Sequence, residues 1–447
     1  MEQLERKVSL FLSMFHHTLA SKTYELITDE GEERACEAIS ERACKETPGN
    51  FFKNVFSGSL SKLAEQLVSP GTTLPWILAA LGVPNLFTGA LVPIKDAGSL
   101  LPQLFVSAKI RAYAIRKWFW VIPALIQAMA LAAMAFVVLG TEGKTAGILI
   151  LSLLLIFSLA SGVASISFKD VVGKTIPKGK RGQLLAMRAT LGGVLTLASG
   201  VFILQDLEGG QDQNMLFWLV MAGALLWVLS AFLFALIAEE KGATEGGRTP
   251  VKELKNAWKF WKEDRNLRMF IFTRGFLMAI PLAQPFFVVL GKDELGSEVN
   301  NLGIMVIAAG IANIVSSPFW GRFADHSSRN LMVWVSILGM VNISLMALFP
   351  FWPDSLQNIY VFAALFLIQV MAHGGARLSR KTYLVDFAPE KERPLYVSLS
   401  NTMIGVFTLL AAGLGSLSSL FGVQAMLSVF VALLGIGLFL AFRLKEV

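Results

Sequence analysis

The sequence predicts an all-α integral membrane protein with twelve transmembrane helices arranged as two pseudo-symmetric six-helix bundles. Composition, the number of apolar stretches and an internal repeat carry that prediction. Of 447 residues, 54% are apolar and only 16% charged, with 33 Phe and 10 Trp, and the mean hydropathy is +0.60. A water-facing surface needs more charge than this, so a soluble enzyme is excluded. With lipid as solvent, backbone polar groups are satisfied only within helices or a closed barrel. The apolar stretches run to about twenty residues instead of alternating over about ten, which selects helices.

Taken in order, a leader occupies residues 1–50. Leu4, Val8, Phe11, Leu12, Phe15 and Leu19 mark one face of a helix within it, so the leader is expected to form a cytoplasmic or interfacial amphipathic helix. Glu2, Glu5, His16 and His17 spoil a signal-peptide pattern. Its cysteines, Cys36 and Cys44, are expected to be free thiols on the cytoplasmic side. Six spans follow in a first bundle, 51–238, at 53–81, 84–107, 118–140, 145–168, 183–204 and 214–238. A polar central loop, 239–268, separates them from a second bundle, 269–447, with spans at 269–291, 298–320, 330–350, 357–377, 395–418 and 423–443. In the loop, Val251, Leu254, Trp258 and Trp261 recur at helical spacing beside Lys252, Lys255, Lys259 and Lys262. That pattern fits a helix lying on an anionic leaflet or a solvated linker helix.

Orientation follows from the basic residues. Of 39 Lys and Arg, Lys144 and Lys292 fall in loops on the side away from the termini, and Lys62, Lys95 and Arg274 fall inside spans; the rest lie on or beside the terminal side. The positive-inside rule therefore places both termini in the cytoplasm, and a bacterial inner membrane is the expected location. The formal charge of +7 is spread between apolar runs, which points away from nucleic acid.

The repeat appears at an offset of 212 residues. Lys169 meets Lys381, Pro177 meets Pro389, Arg181 meets Arg393, Ala112 meets Ala324, Lys117 meets Arg329 and Gly193 meets Gly405. Their common offset at equivalent loops makes duplication the economical account. Two bundles related by an axis along the membrane normal suit a protein that rocks one half against the other around a midplane site.

Loop eight to nine reads Gly321-Arg322-Phe323-Ala324-Asp325-His326-Ser327-Ser328-Arg329, which resembles the G-x-x-x-D-x-x-x-R signature of the major facilitator superfamily. Asp170, Pro177 and Arg181, and again Asp386, Pro389 and Arg393, are similar to the D…P-x-x-x-R pattern that follows that family's fourth and tenth spans. The resemblance covers about residues 51–443. It implies secondary transport by alternating access, with Gly321, Arg322, Asp325, Arg329, Asp170, Arg181, Asp386 and Arg393 at a cytoplasmic gate. In that loop Gly321 is expected to turn the chain where the helix meets the interface. Loop two to three departs from the signature, having Tyr113 where it calls for Asp, so the gating role is carried over to the second half.

Ionisable residues at membrane depth are costly and mark candidate sites. Asp96, beside Lys95 in span two, is either a proton-coupling carboxylate or half of an inter-helix ion pair. Glu65 and His373 are further candidates for carrying protons. Lys62, Arg274 and Gln369 are candidates for the substrate cavity, because the resemblance directs spans one, four, seven and ten inward, and Lys95 of span two is a candidate as a charge at membrane depth; Arg274 is alternatively close enough to the cytoplasmic boundary to snorkel. Three positive against two negative intramembrane groups favour an anionic or zwitterionic solute. No phosphate loop, H-E-x-x-H or dinucleotide fingerprint occurs, so no enzyme activity, cofactor or metal is expected. The partners expected are a small-molecule substrate, protons and membrane lipid. A proton-linked exporter of lipophilic compounds and a non-transporting, permease-like receptor or lipid-handling protein stay open as alternatives.

Overall fold

The computed structural model describes residues 21–25, 39–110, 112–205, 213–242, 258–296, 299–389 and 392–446. Among the described residues, twelve spans are built from fifteen helices. Span one is α1 (Glu41–Leu67) and α2 (Thr73–Ala80), span two α3 (Asn85–Ile110), span three α4 (Trp118–Gly140), span four α5 (Gly143–Thr175), span five α6 (Arg181–Gln205) and span six α7 (Gln213–Ala235). Span seven is α8 (Arg265–Leu277) and α9 (Ala279–Leu295), span eight α10 (Val299–His326), span nine α11 (Ser328–Leu348) and span ten α12 (Ile359–Phe387). Span eleven is α13 (Arg393–Ala412) and α14 (Gly415–Phe421), and span twelve is α15 (Val423–Phe442). Ten of the twelve are long and apolar enough to cross a bilayer by length and composition alone. Spans one and two are not among them: the first is broken and carries Lys62 and Glu65, and the second carries Lys95 and Asp96.

Proline chemistry breaks spans one and seven at corresponding points. Pro70 lacks the N–H that would continue α1 onto the Gln66 carbonyl. That carbonyl instead accepts from the Ser69 N–H at 3.2 Å and from the Thr73 hydroxyl at 3.2 Å. Pro281 likewise leaves the Leu277 carbonyl without its helical donor, and α8 ends at that residue.

Within the first half, α1 packs on α6 and α7, and α4 on α5 and α7; within the second, α10 and α11 pack on α12, and α11 on α15. The halves join along α6 with α10 and α3 with α13 and α14. Small residues allow the approach. A Cβ on Gly310 would meet the Leu197 backbone nitrogen at 3.0 Å, and one on Gly415 would meet the Gly89 Cα at 2.9 Å. On the face away from the termini, α2 also packs on α9, and Gln284 donates to the Thr72 hydroxyl at 3.5 Å. Those two residues stand 212 apart, so repeat-equivalent positions meet across the pseudo-two-fold axis. No comparable packing joins α5 to α12 among the described residues. The space between the halves is thus closed at one face and open toward the terminal face.

Several expectations change. Span one begins at Glu41, well inside the predicted leader, and is continuous through to Leu67. Residues 1–20, which hold the whole face of the predicted leader helix, lie outside the described residues, but Tyr24 is fully buried and packs edge-on to Phe51 with ring centroids 5.2 Å apart. Cys44 is disulfide-bonded, correcting the free thiol. Cys36, the other cysteine of the chain, lies outside the described residues. Val251 and Leu254 of the central loop also lie outside the described residues, whereas Trp258 stacks on Trp261 at 6.0 Å and Trp261 packs on Phe272 of α8. Gly321 does not turn the chain: α10 runs through it to His326, and Ser327 caps the next helix through the Asn330 N–H at 3.1 Å.

Candidate functional site

The inner faces of both halves bring ionisable side chains together. From the first half come Lys62 and Glu65 of α1, Lys95 and Asp96 of α3, Lys169 of α5 and Arg188 of α6. From the second come Arg274 of α8 and His373, Arg377, Arg380 and Lys381 of α12. Their fields overlap across the interface. Lys62 feels Arg377 as well as Glu65, Arg188 and Lys95; His373 feels Lys95 and Lys62. Asp96 reaches Arg274 and Arg380, and Lys381 feels Lys169, its counterpart at the 212-residue offset. Leaving His373 aside, eight basic groups face two carboxylates. Among the described residues neither carboxylate makes an ion pair within 4.0 Å.

Helix spacing explains the alignment on α12. His373, Arg377 and Arg380 follow one another at four and three residues, so they line one face. Lys169, Arg377 and Lys381 are exposed although they lie on membrane-spanning helices, as expected where two bundles part toward water. Sequence reasoning missed Lys169, Arg380 and Lys381 as site residues because it ended spans four and ten at 168 and 377, and passed over Arg188 and Arg377 because they stand near the terminal-side ends of spans five and ten. The helices run to Thr175 and Phe387. The available signal was the run of basic residues at helical spacing continuing past each predicted boundary.

Two positions are built with unusual care. Arg274 is 6% exposed and does not snorkel, which corrects that alternative. Its guanidinium donates to the Ser400 hydroxyl at 2.6 Å and the Asn401 side-chain oxygen at 2.9 Å, and its Nε is buried without a partner. Arg188 donates to Asn54 at 3.1 Å and lies over the Phe168 ring at 4.1 Å from its centroid. A side chain at Gly58 would overlap it, so the glycine makes the room it needs.

Gln369 belongs to the packing of the second bundle. It is fully buried, donates to the Ile280 carbonyl at 2.7 Å and accepts from Asn342 at 3.0 Å. Both ends of the amide are therefore engaged beside the break in span seven. Glu65 and Lys95 border one small internal cavity with Val68, Pro70 and Phe157 at the break in span one.

At the terminal face each half has its own polar knot. In the first, Arg116 pairs with Asp170 at 3.1 Å, and Glu239 accepts from the Arg116 and Lys117 backbone N–H groups at 2.9 and 2.7 Å and from Lys174 at 2.8 Å. Burial lowers the Lys117 pKa from the ordinary lysine range, with the Glu239 carboxylate opposing that change. In the second, Arg329, which corresponds to Lys117, pairs with Glu446. A carboxylate beyond the last helix of each half thus ties down the same repeat position. Arg181 holds the end of α5, donating to Ile176 and Gly173 carbonyls at 3.1 and 2.8 Å. Arg322 and Asp386 are exposed, Arg393 has a buried Nε without a partner, and the Asp325 side chain lies outside the described residues. The ion pairs of Asp170 and Arg329 stay within their own halves.

This architecture defines a multi-pass integral membrane protein whose two six-helix halves enclose a charged chamber, the design of secondary transporters. Residues 278–447, within the second half of the chain, match the model of the Major Facilitator Superfamily. It is similar to nucleoside transporter NupG, with a TM-score of 0.68 and 13% identity, covering 88% of this chain and 99% of that one. Similarity to the inward-open xylose transporter XylE from E. coli has a TM-score of 0.63 and 12% identity, covering 89% and 97%. Uncharacterized proteins of Mycobacterium tuberculosis and Mycobacterium bovis are 23% identical over 385 residues, 83% of this chain and 72% of theirs.

Proposed function

We propose that the chain is a secondary active transporter that moves a small anionic or zwitterionic organic solute by alternating access, with protons as the coupling ion. The observation that carries this reading is the placement of Lys62, Lys95, Arg188, Arg274, Arg377 and Arg380 around one chamber drawn from both halves. In a non-transporting receptor, a site shared by two halves open to one face would have no evident use. A lipophilic exporter would want an aromatic, apolar chamber, which this one is not. The terminal face is read as cytoplasmic from the distribution of basic residues, so the structure is an inward-facing state.

Asp96 gives coupling a physical route. Its carboxylate sits in the field of Arg274 and Arg380, the groups that would hold a substrate anion. Protonating Asp96 removes one negative charge from that field, so proton and anion favour each other's binding. Glu65 stands in the same relation to Lys62 and Arg188. His373, one turn from Arg377 on the same face of α12, is a further candidate for carrying protons. The experiment is flux into liposomes containing the purified chain under an imposed pH gradient. Gradient-dependent accumulation that disappears in Asp96→Asn, while exchange continues, supports the reading. Binding without flux would favour the receptor.

A further inference from the structure

We infer that the substrate carries at least two negative charges on separate groups, one held by each half of the protein. This rests on the transporter reading above and narrows its substrate class to organic polyanions such as phosphate esters or di- and tricarboxylates. Three independent features converge on it.

The first is the imbalance. The second half contributes Arg274, Arg377, Arg380 and Lys381 to the chamber, and among its described residues no carboxylate faces them. The first half contributes Lys62, Lys95, Lys169 and Arg188 with Glu65 and Asp96. Asp96 reaches across to Arg274 and Arg380, so one single-charged group already serves the second half. A monovalent substrate would replace that charge without adding to it.

The second is the opposition of like charges. Lys62 and Arg377, and Lys169 and Lys381, come from opposite halves and lie within electrostatic range of each other. Closing the terminal face brings these groups nearer one another as water leaves, which strengthens their repulsion. A substrate with two anionic groups, placed between them, turns both repulsions into attractions. A single anionic group can sit beside only one half.

The third is the preparation of each half for an anion. Among the described residues, buried Arg274 is hydrogen-bonded only to the neutral Ser400 and Asn401 and keeps an unpartnered buried Nε. Arg188 is held by neutral Asn54 and the Phe168 ring. Among the described residues neither guanidinium has an ion-pair partner within 4.0 Å, which leaves each able to bind an incoming anionic group.

The test is thermal unfolding of the full chain in detergent at fixed ionic strength with a graded panel. The polyvalent probes are glucose 6-phosphate, succinate, citrate and inorganic phosphate; the controls are lactate, glucose and choline. At least one organic polyvalent probe is expected to raise Tm in a saturable way, with lactate, glucose and choline inert. Arg274→Gln and Arg188→Gln should each weaken that binding tenfold or more. Conservative Arg274→Lys and Arg188→Lys, which keep the charge, should retain part of it and confirm that the variants fold. Stabilisation by lactate, glucose or choline without stabilisation by any organic polyanion overturns the inference and leaves the transporter reading standing. Inertness of the whole panel, with flux absent, counts against both. A response to inorganic phosphate alone, with no organic polyanion bound, also overturns it.

Discussion

Gly89 of α3 and Gly415 of α14 touch backbone to backbone where the halves close the face away from the termini. A Cβ on Gly415 would meet the Gly89 Cα and the Leu86 carbonyl oxygen, each at 2.9 Å. Neither atom is the end of a flexible side chain, so Gly415→Ala must push the helices apart. Overpacking of this kind costs about 1–3 kcal/mol. Only the state with this face closed bears the cost, because the contact opens when the halves rock the other way. The ratio of the two states should therefore shift by about 5- to 150-fold toward the state open on that face. Nitroxide labels on Asn85→Cys and Leu420→Cys, in a background with Cys36 and Cys44 replaced by Ser, report the distance between these ends by pulsed electron resonance. A longer-distance population that grows in Gly415→Ala is expected. Gly173→Ala, where a Cβ meets open space, should leave the distribution unaltered. An unchanged distribution in folded Gly415→Ala protein would refute the idea that this contact belongs to one state alone.

Asp96→Asn should take up solute to the same level with and without an imposed pH gradient, where the parent accumulates more with it; paired flux measurements decide this. Glu239, whose side chain is fully buried against Lys174, should be worth far more to stability than the half-exposed Glu446 against Arg329. Glu239→Ala is expected to cost about 3–5 kcal/mol by stranding buried partners, and Glu446→Ala at most about 1 kcal/mol, read as the difference in thermal unfolding. Gln369→Leu strands the Asn342 amide and the Ile280 carbonyl, so it should cost about 1–3 kcal/mol. Its substrate affinity, measured in the folded fraction, should match the parent, and a selective loss of binding would place Gln369 in the site after all.

The sequence by itself determined the environment, the number of spans and the duplication. Those properties are written in one dimension: a bilayer of fixed thickness demands helices of fixed length, and a gene doubled leaves matched residues at one offset. It also named Lys62, Lys95, Asp96 and Arg274, since a charge within an apolar run stands out locally. Only the tertiary structure decided which charged ends of helices face one another. Lys169 and Lys381 read as ordinary loop-side lysines until α5 and α12 are placed across an open chamber from each other. Gln369 read as a cavity residue until folding engaged both ends of its amide, and Glu239 read as the start of a linker until burial brought Lys174 and two backbone N–H groups to it. The physical reason is that span length depends on local hydropathy, whereas a buried or water-facing position on a helix depends on neighbours hundreds of residues away. Thr72 and Gln284 join both kinds of information: the 212-residue repeat makes them equivalent, and only the closing of the two halves makes them touch.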